Sequence, residues 1–230
     1  MATVRGLWLV IVIGLFASVA NAQNSVYIDQ IGSNSTINVT QTGTDNQLGN
    51  TTNKTVLYGN NQAVTITQIG SYNTSAINAQ GNNLTLTSNV TGDSNTVNVS
   101  CGATGGAGAA CNDAAITATA TGDTNVISVT GQGAKQTIGA SLTGNYNTAT
   151  VNSNTTNMNG ATATVTQTGG DSNTINISQN GPAGLNGFSA TVEVTGGSNN
   201  IGVTQTGTVD STVNVKSVGS NNSITVHSGN

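Results

Sequence analysis

Charge is the scarcest property of this 230-residue chain: only 5% of its residues are Asp, Glu, Lys or Arg, against about a quarter in ordinary domains. Its four basic residues, Arg5, Lys54, Lys135 and Lys216, are scattered over the whole length. Nucleic acid needs clustered Lys and Arg to neutralise its phosphates, and anionic lipid needs a polybasic patch, so neither partner fits. Aromatics are rarer still at 3%, and the single Trp is Trp8. A bulky globular core, which offsets chain entropy by burying large apolar side chains, lacks its material. One Pro, one His and two Cys complete the scarcities. His227 has no Ser-His-Asp set around it, and no phosphate loop or paired-carboxylate spacing occurs. Two Cys and one remote His fall short of the four ligands of a zinc site. The sequence therefore predicts no enzyme, no metal and no cofactor.

What is present begins with a leader. Arg5 is followed by an apolar run from Gly6 to Val19 and by the small-x-small triplet Ala20-Asn21-Ala22. This is the layout of a secretory signal peptide over residues 1–22, cut before Gln23. The run is shorter than the roughly 20 residues that span a bilayer, and no basic stop-transfer cluster follows, so no membrane insertion is expected. Losing Arg5 takes the formal charge from −4 to −5. So weak a charge leaves little self-repulsion to oppose association.

Residues 23–230 read as one repeat domain. The tetrapeptide Gly-x-x-Asn recurs with its glycine at Gly43, Gly70, Gly92, Gly122, Gly144, Gly170, Gly196 and Gly219. The matching asparagines are Asn46, Asn73, Asn95, Asn125, Asn147, Asn173, Asn199 and Asn222. Successive glycines lie 27, 22, 30, 22, 26, 26 and 23 residues apart, which reads as a unit of about 22 residues with insertions. Two residues after the Asn stand Leu48, Val97, Ile127, Ala149, Ile175, Ile201 and Ile224, with Ser75 in the second unit. Four after it stand Ile77, Val99, Val129, Val151, Ile177, Val203 and Val226, with Asn50 in the first. The same alternation precedes the glycine, as in Val64-Thr-Ile66-Thr-Gln68. Period two with β-branched residues predicts half-buried strands on both sides of a tight turn. Glycine supplies positive φ, and Asn or Asp tolerates the left-handed region and bonds its own backbone.

A turn kept in fixed phase with its strands favours a β-arc over a hairpin. In an arc the two strands face each other through side chains, and each pairs with its counterpart in the next unit. Equivalent residues then stack about 4.8 Å apart. The expected fold is all-β: a β-solenoid of stacked two-strand β-arc coils. Inward Val and Ile form apolar columns, and the turn Asn forms an amide ladder, donating to one neighbour and accepting from the other.

The unit Ala163-Thr-Val165-Thr-Gln167-Thr-Gly169-Gly170-Asp-Ser-Asn173-Thr-Ile175-Asn-Ile177-Ser-Gln179 resembles the curlin repeat of bacterial curli fibres. It carries that family's spaced Gln, Gly, Asn and second Gln with apolar alternation between them. Asn199 to Gln205 and Val64 to Gly70 match in part, and Val26-Tyr-Ile28-Asp-Gln30-Ile-Gly32 looks like a truncated first unit. The resemblance implies a secreted subunit that crosses the outer membrane unfolded through an export pore. It also implies polymerisation at the cell surface as biofilm matrix, nucleated by a related minor subunit. Gln30, Gln41, Gln68, Gln167, Gln179 and Gln205 join the turn asparagines as the expected self-assembly ladder. The chain departs from the pattern where the first Gln is replaced by Val90, Ala120, Leu142 and Val194, and the second by Cys101 and Gly131.

Cys101 and Cys111 flank the longest insertion, and a nine-residue Gly/Ala/Thr spacer brings two sulfurs within disulfide reach in an exported protein. Packed free thiols are the alternative. Asp93, Asp123 and Asp171 recur directly after the turn glycine. They read as turn formers, with a calcium-binding acidic row as the alternative. Tyr72 and Tyr146 take the third turn position and are expected to point outward. Outward Thr-x-Thr pairs such as Thr117-Ala-Thr119 leave a second class of function open: a monomeric β-solenoid adhesin or an ice-binding protein. Polymer formation by the two exposed terminal coils is the leading expectation, because neither end shows a capping helix.

Overall fold

The computed structural model describes residues 10–16, 23–31, 35–52, 55–58, 61–79, 83–102, 111, 113–131, 135–153, 159–180, 186–206 and 211–229. Its strands fall into three sheets. One sheet takes the strands that precede each turn: β1 (Val10–Phe16), β4 (Thr36–Thr42), β7 (Ala63–Ile69), β9 (Thr85–Thr91), β11 (Ala115–Ile116), β12 (Thr119–Thr121), β14 (Gln136–Thr137), β15 (Leu142–Thr143), β17 (Asn159–Thr168), β19 (Asn186–Thr195) and β21 (Ser211–Val218). The opposed sheet takes those that follow it: β2 (Ser25–Val26), β5 (Gln47–Leu48), β8 (Thr74–Asn78), β10 (Thr96–Ser100), β13 (Val126–Gly131), β16 (Thr148–Ser153), β18 (Thr174–Asn180), β20 (Asn200–Thr206) and β22 (Ser223–Ser228). A small third sheet pairs β3 (Ile28–Ile31) with β6 (Thr55–Tyr58).

Every pairing is parallel and joins a strand to its counterpart one coil on, as in Val97↔Ile127 and Val99↔Val129. A hairpin would pair each strand antiparallel with its own turn partner. The molecule is therefore a β-solenoid of β-arcs. The coil is longer than the expected 22 residues at most steps: hydrogen-bonded turn asparagines lie 22 to 30 residues apart. The surplus lies in the arcs that lead from one sheet back to the other. Strand phase survives because the turn, not the return arc, sets the register.

Alternation in the strands becomes alternation in burial. In β4 it runs exposed, buried, exposed, buried, with Ile37 and Val39 facing in. Across from the turn, Ile127, Ala149, Ile175 and Ile201 form one inward column, and Val129, Val151, Ile177 and Val203 the next. The core is thin, one inward layer from each sheet. Each buried Val or Ile contributes about 1.5–3 kcal/mol. The first sheet breaks between β14 and β15, where Ala140 takes φ 92° and Gly139 still donates to Ala163 O at 3.0 Å. Among the described residues no helix is long and apolar enough to cross a membrane.

Two sequence-marked segments take definite positions. Within the predicted leader, β1 lies parallel to β4 in continuous register from Val10↔Thr36 to Phe16↔Thr42. Cys101 and Cys111 are disulfide-bonded, with Cα atoms 5.7 Å apart, and both are buried. Closing so short a loop removes conformations chiefly from the unfolded chain. The double variant Cys101→Ala/Cys111→Ala should lose about 2–3 kcal/mol of unfolding free energy, measured by urea unfolding against the oxidised parent.

Candidate self-assembly site

The stacked turns carry the chemistry. Seven of the eight Gly-x-x-Asn turns place their glycine at φ between +98° and +119°, while Gly170 takes +61°. The glycine is required twice over. A Cβ on Gly92 would sit 2.1 Å from the carbonyl oxygen of Gly122 in the next coil. The left-handed residue proper is the third of the turn, not the Asn. Asp45, Tyr72, Ser94, Thr124, Tyr146, Ser172, Ser198 and Asn221 all have φ between 56° and 60°. The fourth residue is thereby swung inward, which is why the asparagines from Asn46 to Asn199 are buried and Asn222 half-buried, while Tyr72 and Tyr146 are exposed.

Buried amides without partners are costly, and here the partners are the neighbouring turns. Asn73 donates from N–H and Nδ2 to Oδ1 of Asn46, at 3.2 and 2.9 Å. Asn95 repeats this on Asn73, Asn147 on Asn125, Asn173 on Asn147 and Asn199 on Asn173. Asn125 and Asn222 donate their backbone N–H to Asn95 and Asn199. In the opposite direction, Nδ2 of Asn46, Asn73, Asn95 and Asn125 each donates at 2.7 Å to the turn-glycine carbonyl of the next coil. Each amide thus ties the coil before it to the coil after it. Asn173→Ala would strip Oδ1 from beneath two donors of Asn199. It should cost about 1–3 kcal/mol and slow assembly, read from thermal unfolding and fibre growth. Thr174→Ser, on the outer face beside it, should change both within about 0.5 kcal/mol.

The column has one member that sequence reasoning missed. Asn24 Oδ1 accepts from Asn46 N–H at 2.9 Å, and its Nδ2 donates to Gly43 O. Its turn lacks the glycine, since Asn21 stands three residues before it. The signal lay downstream, where Asn24-x-Val26-x-Ile28 repeats the spacing of the other units.

The glutamines do not form one continuous ladder. Gln41 Nε2 donates to Gln68 Oε1 at 2.7 Å in the sheet before the turn, and Gln179 Nε2 to Gln205 Oε1 at 2.8 Å in the opposed sheet. Gln167 bonds the carbonyls of its own Gly169 and Gly170, because its register neighbours are Leu142 and Val194. Gln30 stands apart from both pairs. It lies on β3, opposite Leu57, and donates to Ser35 Oγ. The truncated first unit leaves the main stack there, so its Gln has no column to join.

A second ladder runs along the exposed side of the turns. Ser71 N–H donates to Asp93 Oδ1, Asp93 N–H to Asp123, Asp123 N–H to Asn145 Oδ1, and Asn145 N–H to Asp171, at 2.6–2.8 Å. The recurrent aspartates act as acceptors for the preceding turn. No group of three or more His, Cys, Asp and Glu able to hold a metal occurs among the described residues. The threonine rows on the outer face are interrupted, by Asn38 beside Thr65, Asn89 beside Thr67 and Glu193 beside Thr166. Glu193 pairs with Lys216 at 3.2 Å, both half exposed, a pair of little energetic weight. His227 is exposed on β22, opposite Thr204.

Parallel strands, stacked turns and an internal amide column define a repeat protein of the β-solenoid class. The family model of the curlin associated repeat matches residues 22–43, from the start of the Asn24 unit to the first turn glycine, so that this segment is similar to that repeat. That family is one of secreted extracellular fibre subunits and is structural, not enzymatic. No curated protein and no solved structure matches the chain.

Proposed function

We propose that the mature chain is a secreted structural subunit that self-assembles end to end into curli-like functional amyloid fibres serving biofilm and adhesion. One observation carries this reading: the stack has two dissimilar ends that continue the same columns. Among the described residues no strand pairs with the far edges of β21 and β22. Their inward residues are less covered than those of inner coils, with Val213 and Val215 at 7% and 6% exposure and Ile224 and Val226 only half-buried. Unprotected parallel edges of this kind template further strands. A head-to-tail contact between unlike ends does not close on itself, so it generates a filament. An outer-membrane export pore and a minor nucleating subunit complete the proposed system.

The experiment is growth of the purified mature chain at rising concentration. Thioflavin T binding and a meridional reflection near 4.8 Å are the expected result. A chain that stays monomeric at high concentration would overturn the reading and favour a monomeric adhesin.

A further inference from the structure

The Cys101–Cys111 bridge stands beside the most weakly paired part of the stack. The first sheet pairs without a gap from Ala63↔Thr85 to Ile69↔Thr91. In the coil after β9 the strand is split into β11 and β12. Only Ala115↔Thr137, Ala120↔Leu142 and Thr121↔Thr143 then pair it with the coil that follows. A side-chain ladder at the return corner stops at the same place. Asn61 Nδ2 donates to Asn83 Oδ1 at 3.2 Å, and Asn83 Nδ2 to Asp113 Oδ1 at 3.1 Å. All three residues are left-handed, with φ of 61°, 55° and 52°. A carboxylate has no proton to pass on, so the ladder ends at Asp113. The chain leading into this coil is also costly to order. Residues 102–110, between the cysteines, include four glycines, and glycine loses the most freedom on folding. The step from Asn95 to Asn125 is the longest in the turn column, at 30 residues.

The bridge is built into the interior. Cys101 follows β10 and donates its N–H to Asn78 O at 3.2 Å. The register of β10, continued by one residue, sets Cys101 between Ala79 and Gly131. These small residues leave room for a disulfide in a column that carries Gln179 and Gln205 farther on. Both cysteines are fully buried, at 0% exposure. Cys111 stands two residues before Asp113 and three before Ala114, whose O accepts from Thr85 N–H at 3.1 Å. The disulfide thus pins the start of the split-strand coil to the end of β10.

We infer that this bridge is a redox switch for stacking. Reduced, the coil of β11–β13 is tethered to the coil before it only by a glycine-rich segment, and the stack is loose in its middle. Oxidised, that coil is held in phase and the two halves join. Each coil of a solenoid is stabilised by its neighbours, so loosening one weakens both flanks. The chain therefore stacks poorly in a reducing cytoplasm and becomes competent once it has left it. The step is an exchange with the disulfide of a thiol–disulfide oxidoreductase. One cysteine thiolate attacks that disulfide, and the second then displaces the mixed disulfide. Two electrons and the two thiol protons pass to the oxidant, which leaves as a dithiol. Burial makes the switch one-way, because a stacked chain exposes neither sulfur to an attacking thiolate. The effect on fibre growth rests on the end-to-end reading, and the effect on the stack does not.

The test uses the chain from residue 23. Its cysteines are equilibrated with reduced and oxidised glutathione in native buffer and in concentrated urea. The native stack should favour the bridge about a hundredfold over the unfolded chain. Equal equilibrium constants in the two solvents would overturn the switch. Dithiothreitol should open the bridge about tenfold more slowly, or slower still, in native buffer than in urea, and equal rates would overturn its one-way character. Seeded growth reports the consequence for fibres. The oxidised chain should elongate seeds about tenfold faster than the reduced chain. Cys101→Ser/Cys111→Ser should elongate as slowly as the reduced chain, with or without dithiothreitol. Growth of the reduced chain at the oxidised rate would overturn control of assembly, as would a response of the serine variant to dithiothreitol. Failure of every protein to form fibres would sink the end-to-end reading, while the glutathione equilibrium still decides the switch.

Discussion

Ile175→Lys should abolish both the folded stack and fibre growth. Ile175 is fully buried between the two sheets, in a column with Ala149 and Ile201 on the adjacent coils. No carboxylate lies along that column, and the layer is one side chain deep. A lysine there must either hold an unpaired ammonium in an apolar layer or pull the strand outward to reach water. Burying an isolated charge is costly enough that the group neutralises or the structure yields. The loss of the isoleucine adds about 2–5 kcal/mol through burial and cavity terms. A domain stable by about 5–15 kcal/mol does not absorb both. The expected readout is loss of the strand signal in circular dichroism and no thioflavin T response at concentrations where the parent assembles. A variant that folds and elongates normally would show that the column does not hold the sheets together.

Gly92→Ala should be nearly as damaging, although it adds one methyl group at the surface. The added Cβ would lie 2.1 Å from Gly122 O, 2.7 Å from Gly122 C and 3.0 Å from Asp123 Oδ1. Two of these are backbone atoms of the next coil and cannot turn aside. The backbone is also at φ +114°, where an L side chain is strained. Relief requires the two turns to move apart, which breaks the Asn95 Nδ2 bond to Gly122 O and the Asn125 N–H bond to Asn95 Oδ1 together. A loss of about 3 kcal/mol or more is expected from strain plus unsatisfied amides, measured by denaturant unfolding. Gly202→Ala is the control. Nothing lies within 4 Å of a Cβ at Gly202, so its cost should stay within about 0.5 kcal/mol. Equal effects at the two glycines would show that close approach of the turns is not what the repeat protects.

Both predictions concern residues the repeat already marks, and the sequence was legible there for a physical reason. A solenoid has the same local environment in every coil, so a requirement met once is written again and again. Period-two alternation around Gly-x-x-Asn marked the strands, and fixed phase between turn and strand distinguished an arc from a hairpin. The inward columns through Ile127 and Val129 follow directly from that phase. Where a unit departs from the pattern, legibility fails. Asn24 lacks its turn glycine, and Gln30 sits in a unit that turns aside to pair with β6.

By itself, then, the sequence determined the class of fold, the turn positions and the residues that face inward, because each is set by local sterics and by the need to bury apolar side chains. Only the tertiary structure decided which residue of each turn is left-handed, which glutamines meet, and how the aspartates bond. Those depend on what lies one coil away, across arcs of varying length. The pairing of β1 with β4 is of the same kind. Nothing in the apolar segment Val10–Phe16 says which edge it will pair with until that edge has been built.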